Sequence, residues 1–125
     1  MAAITQVGRV MVPVDDQDTA IDFYTTKLGF TVAADVPFGD GERWVEVSPP
    51  DGGAGLALVP PQGEYQAGRM TGIALATGDA AAAREELAAA GVDVDGALMG
   101  GDGMVPAMFF MRDQDQNSLL VVQAP

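Results

Sequence analysis

Two ionisable residues sit on stretches that are otherwise apolar and alternate with the period of a β-strand: Arg9 in "VGRVMVPV" and Glu46 in "WVEV". A guanidinium stays cationic at physiological pH and can anchor an anionic or carbonyl group of a ligand. A carboxylate could serve as a general base if burial raised its pKa, which makes Glu46 the candidate catalytic residue. A buried charge is costly alone, so the expected arrangement is an Arg9–Glu46 pair that a ligand could join. Trp44, Phe109, Met11 and Met111 could stack on a planar molecule, with core or interface packing as the competing role. Other chemistries lack their parts. The chain has no histidine and no cysteine, so Ser48 and Ser118 have no imidazole beside them and there is no thiolate nucleophile. "GGDG" at 100–103 lacks the lysine and helix start of a phosphate loop and reads as a turn.

The elements that must position these residues are readable. Residues 7–14 read as a strand, after which Asp15, Asp16 and Asp18 supply N-cap candidates for a helix whose buried stripe is Ala20, Ile21, Tyr24 and Leu28. Gly29 ends that helix, residues 30–36 are β-prone, Gly39 to Gly41 make a turn, and "RWVEVS" and "LALV" (56–59) complete a β-α-β-β-β order. "PPQGEYQAGR" (60–69) has turn residues without apolar periodicity and reads as a connector. "GIALAT", the helix former "DAAAAREELAAAG", residues 92–97, "AMFFM" and "LLVVQ" then repeat the order.

The repeat has a measurable offset. Val10 and Ile73, Asp16 and Asp79, and "LALV" and "LLVV" are each 63 residues apart; Gly29 and Gly91, and the two "GDG" turns, are 62 apart. "WVEV" (44–47) lies 63 before "AMFF" (107–110). Alternation puts Val10, Val12, Val14, Val45, Val47, Leu56 and Leu58 toward the first helix and leaves Arg9, Met11, Trp44, Glu46, Ala57 and Val59 facing away. Carrying the 63-residue offset across turns Gly72, Ala74, Ala107, Phe109, Met111, Leu120 and Val122 away from the second helix. An apolar sheet face not covered by its own helix is expected to cover a ligand, a second module or a second chain.

Six basic residues against 18 acidic ones give a net charge of −12. That balance repels phosphate backbones and anionic membrane surfaces, so no nucleic acid and no membrane are expected as partners, while a neutral or cationic small molecule is compatible. No apolar run approaches a membrane span, and "MAAITQVGRV" lacks a signal-peptide pattern, so the expected location is cytoplasmic.

"VPVDDQDTAIDFYTTKLGF", "IALATGDAAAAREELAAAGV" and "FMRDQDQNSLLVV" together resemble the vicinal-oxygen-chelate superfamily, which includes glyoxalase I, bleomycin-resistance proteins, extradiol dioxygenases and methylmalonyl-CoA epimerase. Gln114 and Gln116 stand where the closing Asp-Pro-Asp-Gly-Asn turn of that family has Pro and Gly. The resemblance implies an α+β fold: two tandem βαβββ modules (about 5–60 and 70–125, joined by 60–69) in one domain, 1–125, forming a curved mixed sheet around a cleft with helices outside. It also implies a homodimer. In the family's enzymes four positions hold a metal. They map to Arg9, Ala57, Gly72 and Leu120, none of which offers a lone pair, so no metal and no cofactor are expected.

The resulting expectation is a metal-independent binder of an apolar or cationic small molecule, of the sequestration or resistance type. Its ligand-binding residues would be Arg9, Met11, Trp44, Glu46, Ala57, Gly72, Ala74, Phe109, Met111 and Leu120. The alternative is a metal-independent glyoxalase-like lyase or isomerase, with Glu46 as base and Arg9 as electrostatic stabiliser.

Overall fold

The protein is described by a computed structural model covering residues 2–125. The chain forms two compact units, which meet in sequence at Ala67 and Gly68, inside the stretch expected to be a connector. The first contains β1 (Arg9–Pro13), α1 (Gln17–Thr26), β2 (Thr31–Pro37), β3 (Arg43–Ser48) and β4 (Gly55–Val59). Its four-stranded sheet has the order β1-β4-β3-β2, with β1 parallel to β4 and the other pairs antiparallel. The second contains β5 (Met70–Thr77), α2 (Ala80–Ala89), β6 (Asp93–Val94), β7 (Met108–Arg112) and β8 (Ser118–Gln123), in the equivalent order β5-β8-β7-β6. These are two four-stranded mixed sheets with one helix each, an α+β architecture built from two β-α-β-β-β units.

The aspartates act as caps. The Asp16 carboxylate accepts from the backbone N–H of Asp18 (2.9 Å) and Thr19 (3.2 Å), and Asp79 accepts from that of Ala82 (3.0 Å), which satisfies donors that the first helical turn leaves open. At the end of α1 the chain reverses through Gly29 (φ 73°), and Phe30 N–H closes back on the Tyr24 carbonyl at 3.0 Å. The first unit buries Val12, Val14, Ala20, Tyr24, Val45, Val47, Leu56 and Leu58; the Tyr24 ring meets Phe23 edge-on and packs on Phe30.

In the second unit the register corrects two expectations. Phe109 pairs with Val121 and Met111 with Leu119, and all four are buried. Leu119 and Val121 are the counterparts of Leu56 and Leu58, so Phe109 and Met111 point toward α2 and lie in the core rather than on the face turned away from it. The side chains of β7 that share the other face are Met108, Phe110 and Arg112. The cause is a change of offset. Glu46 is opposite Ala57 and Phe110 is opposite Leu120, so β3 and β7 are related by 64 residues, whereas β4 and β8 are related by 63. A slip of one residue in a strand exchanges its two faces.

The closing turn of the second unit buries two polar side chains, Asp113 and Asn117. Asp113 accepts from the backbone N–H of Asp115 (2.9 Å) and Asn117 (3.0 Å) and from the Asn117 amide (3.0 Å). The Asn117 side-chain Oδ1 in turn accepts from the N–H of Gly68 (3.0 Å) and Arg69 (3.3 Å), fixing the entry to β5. Gln116 occupies the left-handed region at φ 65°. No helix among the described residues is long and apolar enough to cross a membrane.

Candidate functional site

On the face of the first sheet opposite α1, Met11, Ala57 and Glu46 stand in one row across β1, β4 and β3. The expected ion pair is present: Arg9 Nε donates to Glu46 Oε1 at 3.0 Å. The other carboxylate oxygen accepts from the Trp44 indole Nε1. Trp44 and Glu46 are two apart on β3 and therefore share a face. The indole bond first, and the Arg9 bond after it, hold the Glu46 carboxyl below the usual glutamate range, against a smaller opposing effect of burial. This bears on the role considered for Glu46. A general base at neutral pH needs a raised pKa, and here the carboxylate is stabilised and already occupied on both oxygens.

Beside this row lies a pocket of about 640 Å³, built wholly from the first unit. Three rings wall it: Phe38, Trp44 and Tyr65. Phe38 and Trp44 meet edge to face, with centroids 6.0 Å apart and planes at 71°. Met11, Val59, Pro60 and Pro61 supply the remaining apolar lining. Residues 62–65 form a tight turn in which Gln62 and Tyr65 exchange backbone hydrogen bonds (3.1 and 2.7 Å) around Gly63 at φ 53°. That turn brings Tyr65 over β1, where its hydroxyl donates to the Met11 carbonyl. At the polar side stand Glu42, Arg43 and Gln62. Arg43 is tied in place: Nε and Nη2 donate to the two Asp35 oxygens (3.1 and 2.8 Å), and Nη1 pairs with Asp18 at 3.0 Å. These bonds, Asp35 foremost, push its pKa upward and that of Asp35 down.

The structure brings five of the residues expected from sequence onto this face: Arg9, Met11, Trp44, Glu46 and Ala57. Met11 and Trp44 line the pocket; Arg9 and Glu46 do not, and Glu46 is bonded to both the Trp44 indole and Arg9. Ala57 is fully buried between its neighbours in the sheet and offers no surface. Gly72, Ala74 and Leu120 belong to the second unit. Ala74 is opposite Leu120, and Gly72 sits at an irregularity of β5 with φ 76°. Sequence reasoning missed Phe38, Glu42, Arg43 and the connector residues Pro60 to Gln62 and Tyr65. One signal was available: an aromatic residue, Tyr65, inside an otherwise polar, turn-rich segment.

The family's metal does not fit this donor set. Ala57, Gly72 and Leu120 have no donor atom, Arg9 is a cation already bonded to Glu46, and no group of three or more His, Cys, Asp or Glu among the described residues could hold an ion.

Two β-α-β-β-β units, each with a first strand parallel to its last, form the glyoxalase/bleomycin-resistance architecture. The chain belongs to the Glyoxalase/Bleomycin resistance protein/Dioxygenase superfamily, whose family model matches residues 6–121. Among solved structures it is similar to TnmS3, an antibiotic binding protein from Streptomyces sp. CB03234, at 33% identity and TM-score 0.85 over 100% of both chains. It is also similar to a superfamily member from Sphaerobacter thermophilus DSM 20745, at 29% identity and TM-score 0.88 over 98% of this chain and 100% of that one. The Bacillus subtilis (strain 168) protein YetH is 44% identical over 57 residues, 46% of this chain and 48% of YetH. The matched stretch spans about half the length of the curated relatives.

Proposed function

We propose that the protein binds a planar, largely apolar small molecule in the pocket of the first unit and holds it unchanged, in a sequestration or resistance role that uses no metal. The observation that carries this reading is a pocket of about 640 Å³ with three aromatic walls, Phe38, Trp44 and Tyr65. Likeness to TnmS3, an antibiotic binding protein, supports it. The lyase or isomerase reading requires Glu46 to take a proton, and the lowered pKa of that carboxylate opposes it. As part of the same proposal, two copies associate, as the family resemblance implies; sedimentation at micromolar concentration giving the mass of one chain would remove that part.

The test uses acridone and 9-aminoacridine as planar probes. Either should quench Trp44 emission and raise the melting temperature. A ligand at a hundred times its Kd stabilises by about 2.7 kcal/mol. Trp44→Ala should weaken binding at least about tenfold, and chromatography should return the probe intact. If neither probe moves emission or melting, or if either returns chemically altered, the reading fails.

A further inference from the structure

We propose that the pocket prefers a planar ligand carrying a positive charge and that Glu42 is the residue that recognises that charge. This rests on the pocket being a binding site, as read above, and adds the ligand class and a specificity-determining residue.

The pocket lining contains two formal charges, Glu42 and Arg43. Arg43 is not available to an anion. Its Nε and Nη2 are directed at Asp35 and its Nη1 at Asp18, so one guanidinium faces two carboxylates. The Tyr65 hydroxyl proton is likewise directed inward, to the Met11 carbonyl. Glu42 differs. Its backbone carbonyl accepts from Phe38 N–H at 2.9 Å, which fixes the hairpin, but among the described residues its carboxylate has no ion pair and no hydrogen bond. The unmatched charge at the pocket is therefore negative.

Two further features act in the same direction. The rings of Phe38 and Trp44 offer electron-rich faces that attract cations. The first unit carries ten acidic and three basic residues, and all three nitrogens of Arg43 are engaged by carboxylates, so the surrounding field also favours a cation. An anionic ligand would meet Glu42 directly, and a neutral one would use the rings alone.

Calorimetric titration with 9-aminoacridine, cationic at neutral pH, and acridone, a neutral molecule on a similar three-ring frame, tests this. The cation should bind about fivefold to tenfold more tightly, as expected for a partly exposed ion pair with added cation–π attraction. Glu42→Gln should bring the two affinities together by weakening the cation and leaving acridone unchanged. Asp51→Asn, which removes an exposed acid outside the pocket, should leave the preference in place, and raising salt from about 0.05 to about 0.5 M should narrow it. Equal affinities in the unaltered protein, a preference that survives Glu42→Gln, or one that Asp51→Asn abolishes as well would each overturn the assignment. Failure of both probes to bind would overturn the pocket itself, a different result from binding without charge preference.

Discussion

The Trp44 indole donates its Nε1 proton to Glu46, two residues further along the same strand, and Glu46 accepts from Arg9 on its other oxygen. The bonded series Arg9–Glu46–Trp44 thus ends on a side chain that lines the pocket.

If Glu46 positions Trp44, removing the acceptor should cost binding through the indole. Glu46→Leu is expected to weaken acridone binding about threefold to tenfold and to shift Trp44 emission, because the freed Nε1 loses its partner. Glu46→Gln, whose amide oxygen still accepts, should restore most of both. Fluorescence titration of the two variants decides it; equal losses in both would indicate a role for the charge itself.

The same bonds set a pH dependence. Glu46 has its pKa lowered in the folded protein, so the stability it contributes is fully present above the unfolded value and declines as pH falls through the folded one. The unaltered protein should therefore melt above Glu46→Gln near neutral pH and lose that advantage below about pH 4.5. Melting curves across pH 7 to about 3 read the difference, and an advantage that grew with acid would contradict the assignment.

Asn117 is fully buried and satisfies two backbone N–H groups and a carboxylate at once. Asn117→Ala removes the acceptor of the Gly68 and Arg69 N–H groups and one donor to Asp113, and should destabilise the protein by about 2–4 kcal/mol in urea denaturation. Asn117→Asp should also destabilise, since it sets a second carboxylate against Asp113.

Gln116 holds a left-handed backbone that costs a residue with a Cβ about 1 kcal/mol or more. Gln116→Gly should raise the melting temperature by about 2–5 °C, and Gln116→Val should lower it.

Treatment with EDTA should change neither the melting temperature nor acridone binding, because the family's ligand positions hold Arg9, Ala57, Gly72 and Leu120. Loss of binding on chelation that returned with a divalent ion would overturn the fit argument.

The architecture was legible in the chain because a repeat constrains each element twice: Asp16 and Asp79 cap equivalent helices, and Val12 and Leu58 face the core as their alternation requires. The face of β7 was not. The two Gly-Asp-Gly turns are 62 apart but the strands after them are 64 apart, and only the hydrogen-bond ladder reveals such a slip. Half of the site was legible for a related reason. Met11, Trp44, Arg9 and Glu46 lie on strands, where side-chain direction follows from counting. Phe38 and Tyr65 lie on turns, where direction depends on backbone angles such as that of Gly63, which periodicity does not encode.

The parallel pairing of outer strands has a kinetic consequence. In each unit the first strand is hydrogen-bonded to the last, joining residues 46 apart in sequence: Arg9 with Gly55 and Ala74 with Leu120. Neither hairpin formation nor helix growth produces that contact. It waits until the whole intervening chain has been drawn in, and the entropy of closing so long a loop must be met first. Each unit is therefore expected to reach its native state slowly for its size, with the β1–β4 and β5–β8 seams forming late and the β2–β3 hairpin early.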